Sequence, residues 1–387
     1  MTSAPPAQAD ADLTDEQQDF VRAVRDFCRR ECGPERLAEL THGFDDFHNE
    51  DVARQMAELG WYGVAIDEQY GGSGGGLLEA CLFLEETAHG EAPIGAYPVT
   101  LIVASALERF GTEDQKRRLL GHVAEGGALA IAMSEPEAGS DVGALSTRAE
   151  RSNGEWVLDG TKMWCSYAHK AREILIVCRT ERGEDKHEGL SMIFVPREAK
   201  GLTVTPIDTL GGKETNELHL EDCRVDEEAL LGEPGGGWTQ LMAGLNRERV
   251  ILAASALGLA QRAFDEALAY AKERKQFGRP IGSFQATQHK LADLATELLQ
   301  ARLLVRSVAR MTDSHPERML PREASMAKLA CTELAKRSAL EGLQIMGGYG
   351  YATEYPMERY LRSAVVMTVF GGTSEIQKNI IAKTLGL

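Results

Sequence analysis

Glu248 sits in the stretch AGLNRERVILAASALGLA, where Leu245, Glu248, Leu252 and Leu259 fall at i, i+3, i+7 and i+14. That spacing places all four on one stripe of a helix. A carboxylate that interrupts an apolar stripe is costly to bury unpaired. In dry surroundings its basicity rises, which suits a general base that takes a weakly acidic proton. The plainer alternative is that Arg247 or Arg249 masks the charge. Periodicity alone does not separate the two.

Other stretches gather polar and glycine residues where elements end. AMSEPEAGSDVGAL (132–145) crowds Ser134, Ser140 and Asp141 into a bent loop, which is either a binding loop or a solvated turn. GTKMWCSYA (160–168) sets Trp164 and Ser166 two apart, hence on one side of a strand. A flat ring beside a hydroxyl suits a planar cofactor; otherwise Trp164 is core. RKQFGRPIGSFQATQ (274–288) offers Arg274 and Gln276 to phosphate or ribose oxygens while Phe277 packs, or is an ordinary helix corner. In QIMGGYGYATEYPMERYLRSA, Gln344 precedes Gly348 by four, and glycines let a backbone approach a ligand closely or simply cap a helix. VFGGTSEIQ places Gly371 and Gly372 before Thr373, Ser374 and Glu375, as a helix entry or as a place from which a side chain is missing. YGGSGGG (70–76) lacks the Lys-Ser/Thr ending of a phosphate loop and follows no expected strand, so it reads as a plain loop.

These stretches need elements to hold them. Residues 1–12, rich in Pro, Ala and Asp, read as a disordered arm without a signal peptide. Residues 13–127 read as a helical domain: Thr14 caps ahead of Glu16 and Gln17, and Phe20, Val21, Val24 and Phe27 form an apolar face. Residues 128–235 hold short β-branched runs split by Gly, Asn, Asp and Pro, the pattern of a small β-sandwich or barrel. Residues 236–387 carry three long helical patterns, as in a bundle. The class is α+β with segregated units.

Composition narrows the function. The 387 residues carry a formal net charge of −17, which argues against nucleic acid and anionic membranes as partners. No apolar run approaches the ~18 residues of a membrane span. Seven cysteines lack metal-like spacing, so a reduced, cytoplasmic protein without metal or disulfide framework is expected.

Taken together and in this order, SEPEAGSD, GTKMWCS, RKQFGRPIGSFQATQHKLAD, QIMGGYGYATEYPMERYLRSA and GTSEIQ resemble the acyl-CoA dehydrogenase family over essentially the whole chain. The resemblance implies an N-terminal helical domain, a middle β-domain and a C-terminal four-helix bundle, assembled as a homotetramer (or homodimer) around FAD. Met133, Ser134, Trp164 and Ser166 would line the flavin ring; the two serines stand where threonine is usual. Arg274, Gln276, Phe277, Gln285, Gln344, Gly347 and Gly348 would reach the FAD of a neighbouring subunit. Thr373 and Glu375 would hold the adenosine side. Ser140 would contact the thioester's pantetheine arm, and Asn246 and Arg249 the substrate. Asp67 stands where proline is usual, which would loosen its turn.

The implied reaction removes an α-proton from an acyl thioester and sends a β-hydride to flavin N5. It needs a carboxylate base and donors on the thioester oxygen. Most of the family carries its glutamate where this chain has Gly371. Isovaleryl-CoA dehydrogenases, and some dehydrogenases of carrier-protein-bound substrates, place it at the position of Glu248, followed by arginine as here. Glu248 is therefore the expected base, and the Gly371 amide an expected donor to the thioester oxygen. The implied partners are an acyl-CoA or acyl-carrier-protein substrate, short or branched, and an electron-transfer flavoprotein. A same-fold oxidase or monooxygenase is the other class that the resemblance leaves open.

Overall fold

The computed structural model describes Asp10 and residues 12–181 and 183–387. Most of the expected arm lies outside the described residues. The carboxylates of Asp10 and Asp12, at its end, are not free: both bind Arg306 at 2.8 Å, and Asp12 also binds Arg310 at 2.7 Å.

Helices come first in the chain: α1 (Asp15–Glu31), α2 (Pro34–Leu40), α3 (Glu50–Glu58), α4 (Leu77–His89), α5 (Ala96–Phe110) and α6 (Glu113–Ala124). Strands follow: β1 (Ala130–Ala132), β2 (Arg148–Ser152), β3 (Glu155–Ser166), β4 (Glu173–Arg179), β5 (Leu190–Pro196), β6 (Leu202–Thr209), β7 (Gly212–Asp226) and β8 (Leu230–Leu231). The chain then returns to helix with α7 (Gly237–Glu273), α8 (Gln285–Ser314), α9 (Pro321–Met346), α10 (Gly348–Tyr351), α11 (Met357–Met367) and α12 (Ser374–Thr384). Thr14 caps α1 as expected, its hydroxyl accepting from Gln17 N while the Gln17 side chain accepts from Thr14 N.

Two compact units emerge. One gathers the chain up to Arg36, residues 76–92 and Arg249–Leu387; the other holds Leu37–Gly75 and Pro93–Glu248. In the helical unit, Asp313 of α8 accepts from Leu77 N and Leu78 N at 2.7 and 3.0 Å, satisfying the first turn of α4. Glu85 of the same helix is buried against Arg302 at 2.7 Å.

In the other unit the strands form one sheet in the order β6-β7-β3-β2-β4-β5-β8, with β1 parallel to β4. β4 and β5 are buried on both faces. Leu175, Val177, Met192 and Phe194 pack with Val103 and Leu107 of α5 and Leu119 and Val123 of α6. Ile174, Ile176, Ile193 and Val195 face a second core with Trp156, Leu158, Leu218 and Leu220. That double burial explains why EILIVCR reads as a continuous apolar run rather than an alternation.

The YGGSGGG stretch is a packed loop. Its amides are taken by the protein itself: Ser73 N by Gly63 O, Gly74 N by Ile66 O, and Gly75 N by Val64 O. Asp67 does not loosen this turn. Its carboxylate accepts from Gln69 N at 2.9 Å and caps the short helix Glu68–Tyr70. None of the seven cysteines forms a disulfide, and all are buried. No described helix is long and apolar enough to cross a membrane.

Candidate active site

The corner between β1 and β3 carries four of the expected flavin-facing residues. β3 is not a regular strand here: its register on β7 shifts between Lys162 and Cys165, and Trp164 takes φ +62°. This bulge turns the indole outward, leaving it 57% exposed, while Cys165 is buried. Trp164 is thus not core, although period-two alternation alone could not reveal the bulge. Met163 N donates to Ser134 O at 2.9 Å and ties the two segments together.

Behind this corner lies an ionic network. Lys162 is 0% exposed. Its Nζ donates to Glu135 Oε1 at 2.7 Å and to the Met133 carbonyl at 3.0 Å. Glu135 also accepts from Ser146 N, Ser146 Oγ and Thr147 N at 2.6–2.8 Å. Burial works to raise the Glu135 carboxyl, but Lys162 and these donors outweigh it and hold it at about 2. Burial lowers the Lys162 ammonium, with Glu135 opposing. Ser140 is exposed on the same loop; its neighbour Asp141 pairs with Lys186 at 2.7 Å.

In the helical unit, Arg274, Gln276, Gly347 and Gly348 line one open groove of about 720 Å³ with Tyr270, Tyr349 and Tyr355. The Arg274 guanidinium lies 5.4 Å from the Tyr349 ring centroid. Gln344, Gln285 and Phe277 are exposed but are not among the groove's lining residues. Phe277 is 92% exposed at φ +51°, and its ring meets Phe284 edge-on with centroids 6.1 Å apart.

The Gly371–Gly372 turn enters α12. Both glycines have positive φ, +61° and +81°, which L side chains adopt only with strain. The turn is held from beneath. Lys328 of α9, also 0% exposed, donates to the Gly372 carbonyl at 2.9 Å. Gln377 Nε2 donates to the carbonyls of Gly371 and Gly372 at 3.0 and 2.9 Å. Thr373 caps α12 by accepting from Ile376 N, and Glu375 stands exposed in the first turn.

Asn246, Glu248 and Arg249 follow within one turn of α7. Glu248 is 4% exposed, and Leu252 and Leu259 of its stripe are buried as well. Asn246 Nδ2 donates back to Met242 O at 3.1 Å. Arg247, one of the two residues expected to mask Glu248, pairs with Glu108 at 3.6 Å.

Lys162, Glu135, Lys328 and Gln377 escaped the sequence reading. Two of them carried a signal. Lys162 shares the inward phase of Trp156 and Leu158 on β3, and Lys328 shares the stripe of Ala324, Cys331 and Ala335 on α9. A lysine in a buried phase is the same anomaly that marked Glu248.

FAD asks for a flat apolar surface, backbone it can approach, and donors for its phosphates. The Trp164 ring stands exposed at the bulge. A Cβ added at Gly347 or Gly348 would meet no atom within 4 Å, so that backbone is open. Arg274 supplies a guanidinium in the same groove. Each unit by itself thus offers surface of a kind that the group takes.

Known proteins agree. Family models for the N-terminal, middle and C-terminal domains of acyl-CoA dehydrogenase match residues 14–127, 130–223 and 235–386. The chain is 42% identical over 380 residues to the "Probable acyl-CoA dehydrogenase YngJ" of Bacillus subtilis, covering 97% of this chain and 99% of that one. It is 36% identical to the mitochondrial isovaleryl-CoA dehydrogenase of Solanum tuberosum, over 96% and 90% of the two chains. Among solved structures, it is similar to an acyl-CoA dehydrogenase from Geobacillus kaustophilus, with TM-score 0.91, 31% identity, and 97% and 100% coverage. It is also similar to the prolyl acyl carrier protein oxidase AnaB, with TM-score 0.88, 30% identity, and 97% and 100% coverage.

Proposed function

The chain belongs to the acyl-CoA dehydrogenase family, and on that premise we propose that it desaturates a short or branched acyl-CoA with Glu248 as its base. The family's enzymes are FAD-dependent. When bound, FAD would supply the acceptor for the hydride that leaves the substrate's β-carbon.

The chain's own part is proton removal, charge stabilisation and positioning. Glu248 takes the α-proton. It is only 4% exposed, so the proton would leave the substrate in a site shielded from water. The Gly371 N–H donates to the thioester oxygen, where negative charge grows as that proton leaves. Asn246 and Arg249 contact the substrate, and Ser140 meets its pantetheine arm. Trp164, Ser166, Met133 and Ser134 line the flavin ring. Arg274, Gln276, Phe277, Gln285, Gln344, Gly347 and Gly348 serve the FAD of a second subunit in a cytoplasmic homotetramer, while Thr373 and Glu375 hold the adenosine side. An electron-transfer flavoprotein would be the electron acceptor.

One observation carries this reading: a buried carboxylate at position 248 in a chain whose residue 371 has no side chain. Glu248→Gln tests it. The variant should keep FAD and its fold, yet lose at least ~10³-fold in anaerobic flavin bleaching by a panel of short and branched acyl-CoAs, as expected when a general base is removed. Bleaching near the wild-type rate would show that the base is elsewhere.

The similarity to AnaB favours a second reading, in which the acyl or aminoacyl group rides on a carrier protein. Bleaching by a prolyl-loaded carrier but not by any CoA ester would select it. Rapid reoxidation of the reduced flavin by air would mark an oxidase.

A further inference from the structure

Lys162 is a charged side chain with no exposure at all, in the same buried phase of β3 as the apolar Trp156 and Leu158. Its pair with Glu135 is a weak source of stability, because desolvating two charges offsets most of their attraction. Apolar residues of similar volume would serve the core as well. What the pair does is fix a backbone. Met133 O is drawn to Nζ at 3.0 Å, and Ser134 O accepts Met163 N at 2.9 Å, so Ser134 is held on both sides. In a trans peptide the C=O and N–H point opposite ways. Holding the Met133 carbonyl toward the buried ammonium therefore aims the Ser134 N–H away from it. Glu135, locked by Ser146 and Thr147, keeps the ammonium in place.

We propose that Lys162, braced by Glu135, is a positioning residue that orients the Met133–Ser134 peptide toward the flavin ring. The proposal rests on the reading above, in which that segment lines the flavin.

The test compares full-length Lys162→Met with the charge-neutral double variant Lys162→Met/Glu135→Gln, which leaves no orphan charge in the core. Circular dichroism and melting of the FAD-free protein report the fold. Titration with FAD and the absorption bands of the bound flavin report the site. The double variant should fold and melt cooperatively, yet bind FAD at least tenfold more weakly, with shifted bands. A folded double variant with unchanged affinity and bands would overturn the proposal. So would a double variant that fails to fold, since the pair would then serve the sheet rather than the cofactor. Ser134→Ala and Trp164→Ala separate the two layers. If they weaken FAD binding while the Lys162 variants do not, this inference alone fails. If they too leave binding untouched, the flavin's placement has failed.

Discussion

The β3 corner and the Gly371–Gly372 turn solve one problem in two ways. Each sets a fully buried lysine against a backbone carbonyl beside residues assigned to the site. At the corner the lysine is shared between the carbonyl and a carboxylate, and that carboxylate is locked in turn by three more donors. At the turn it is the carbonyl that is shared, between Lys328 and the amide of Gln377. The corner is therefore an ionic staple that fails as a unit. The turn is a clamp with two donors on one carbonyl.

The largest effect should separate them. Lys162→Met strands Glu135 in the core and should lower the unfolding free energy by about 3–5 kcal/mol in urea denaturation. Lys328→Met leaves Gln377 on the same carbonyl and should lose less than Lys162→Met does. Equal losses would erase the distinction between staple and clamp.

A second contrast is acid sensitivity. Glu135 is held at about 2 against an ordinary 4.5. The unfolded chain therefore binds the proton first, and this contribution to stability, complete above pH 4.5, drains as the pH falls toward 2. Urea titrations at stepped pH should show that slope in the wild type and a shallower one in Glu135→Gln. An unchanged slope would mean that the network is not what holds the carboxyl ionised.

The smallest effect belongs to the turn's backbone. Gly372→Ala places a methyl 2.7 Å from Gln377 Nε2, the movable end of a side chain, at φ +81°. It should cost about 1–2 kcal/mol, the left-handed penalty for an L-residue. A much larger loss would show that Gln377 has no room to yield.

What could be read beforehand follows from how local each cause is. The Thr14 cap and the Glu248 stripe depend on neighbours within a few turns, and both are found as expected. The β3 bulge depends on its pairing with β7 some fifty residues away, so regular alternation was the only available expectation for Trp164. α4 lies early in the chain but belongs to the unit that holds α8, because its first turn and its Glu85 are satisfied there. Lys162 and Lys328 were legible in principle, since each breaks a buried phase. Lysines ordinarily face water, so residue type alone points each of them outward.

The seven buried thiols turn the native protein into its own clock of opening. Burial pushes Cys165 and Cys178 up to about 12 and Cys223 up to about 11, so each is a poor nucleophile until it meets water. Cys28, Cys32, Cys81 and Cys331 lie in the helical unit, and Cys165, Cys178 and Cys223 in the sheet unit. An alkylating reagent applied without denaturant therefore counts excursions rather than surface, and peptide mapping of the label assigns each excursion to one unit or the other.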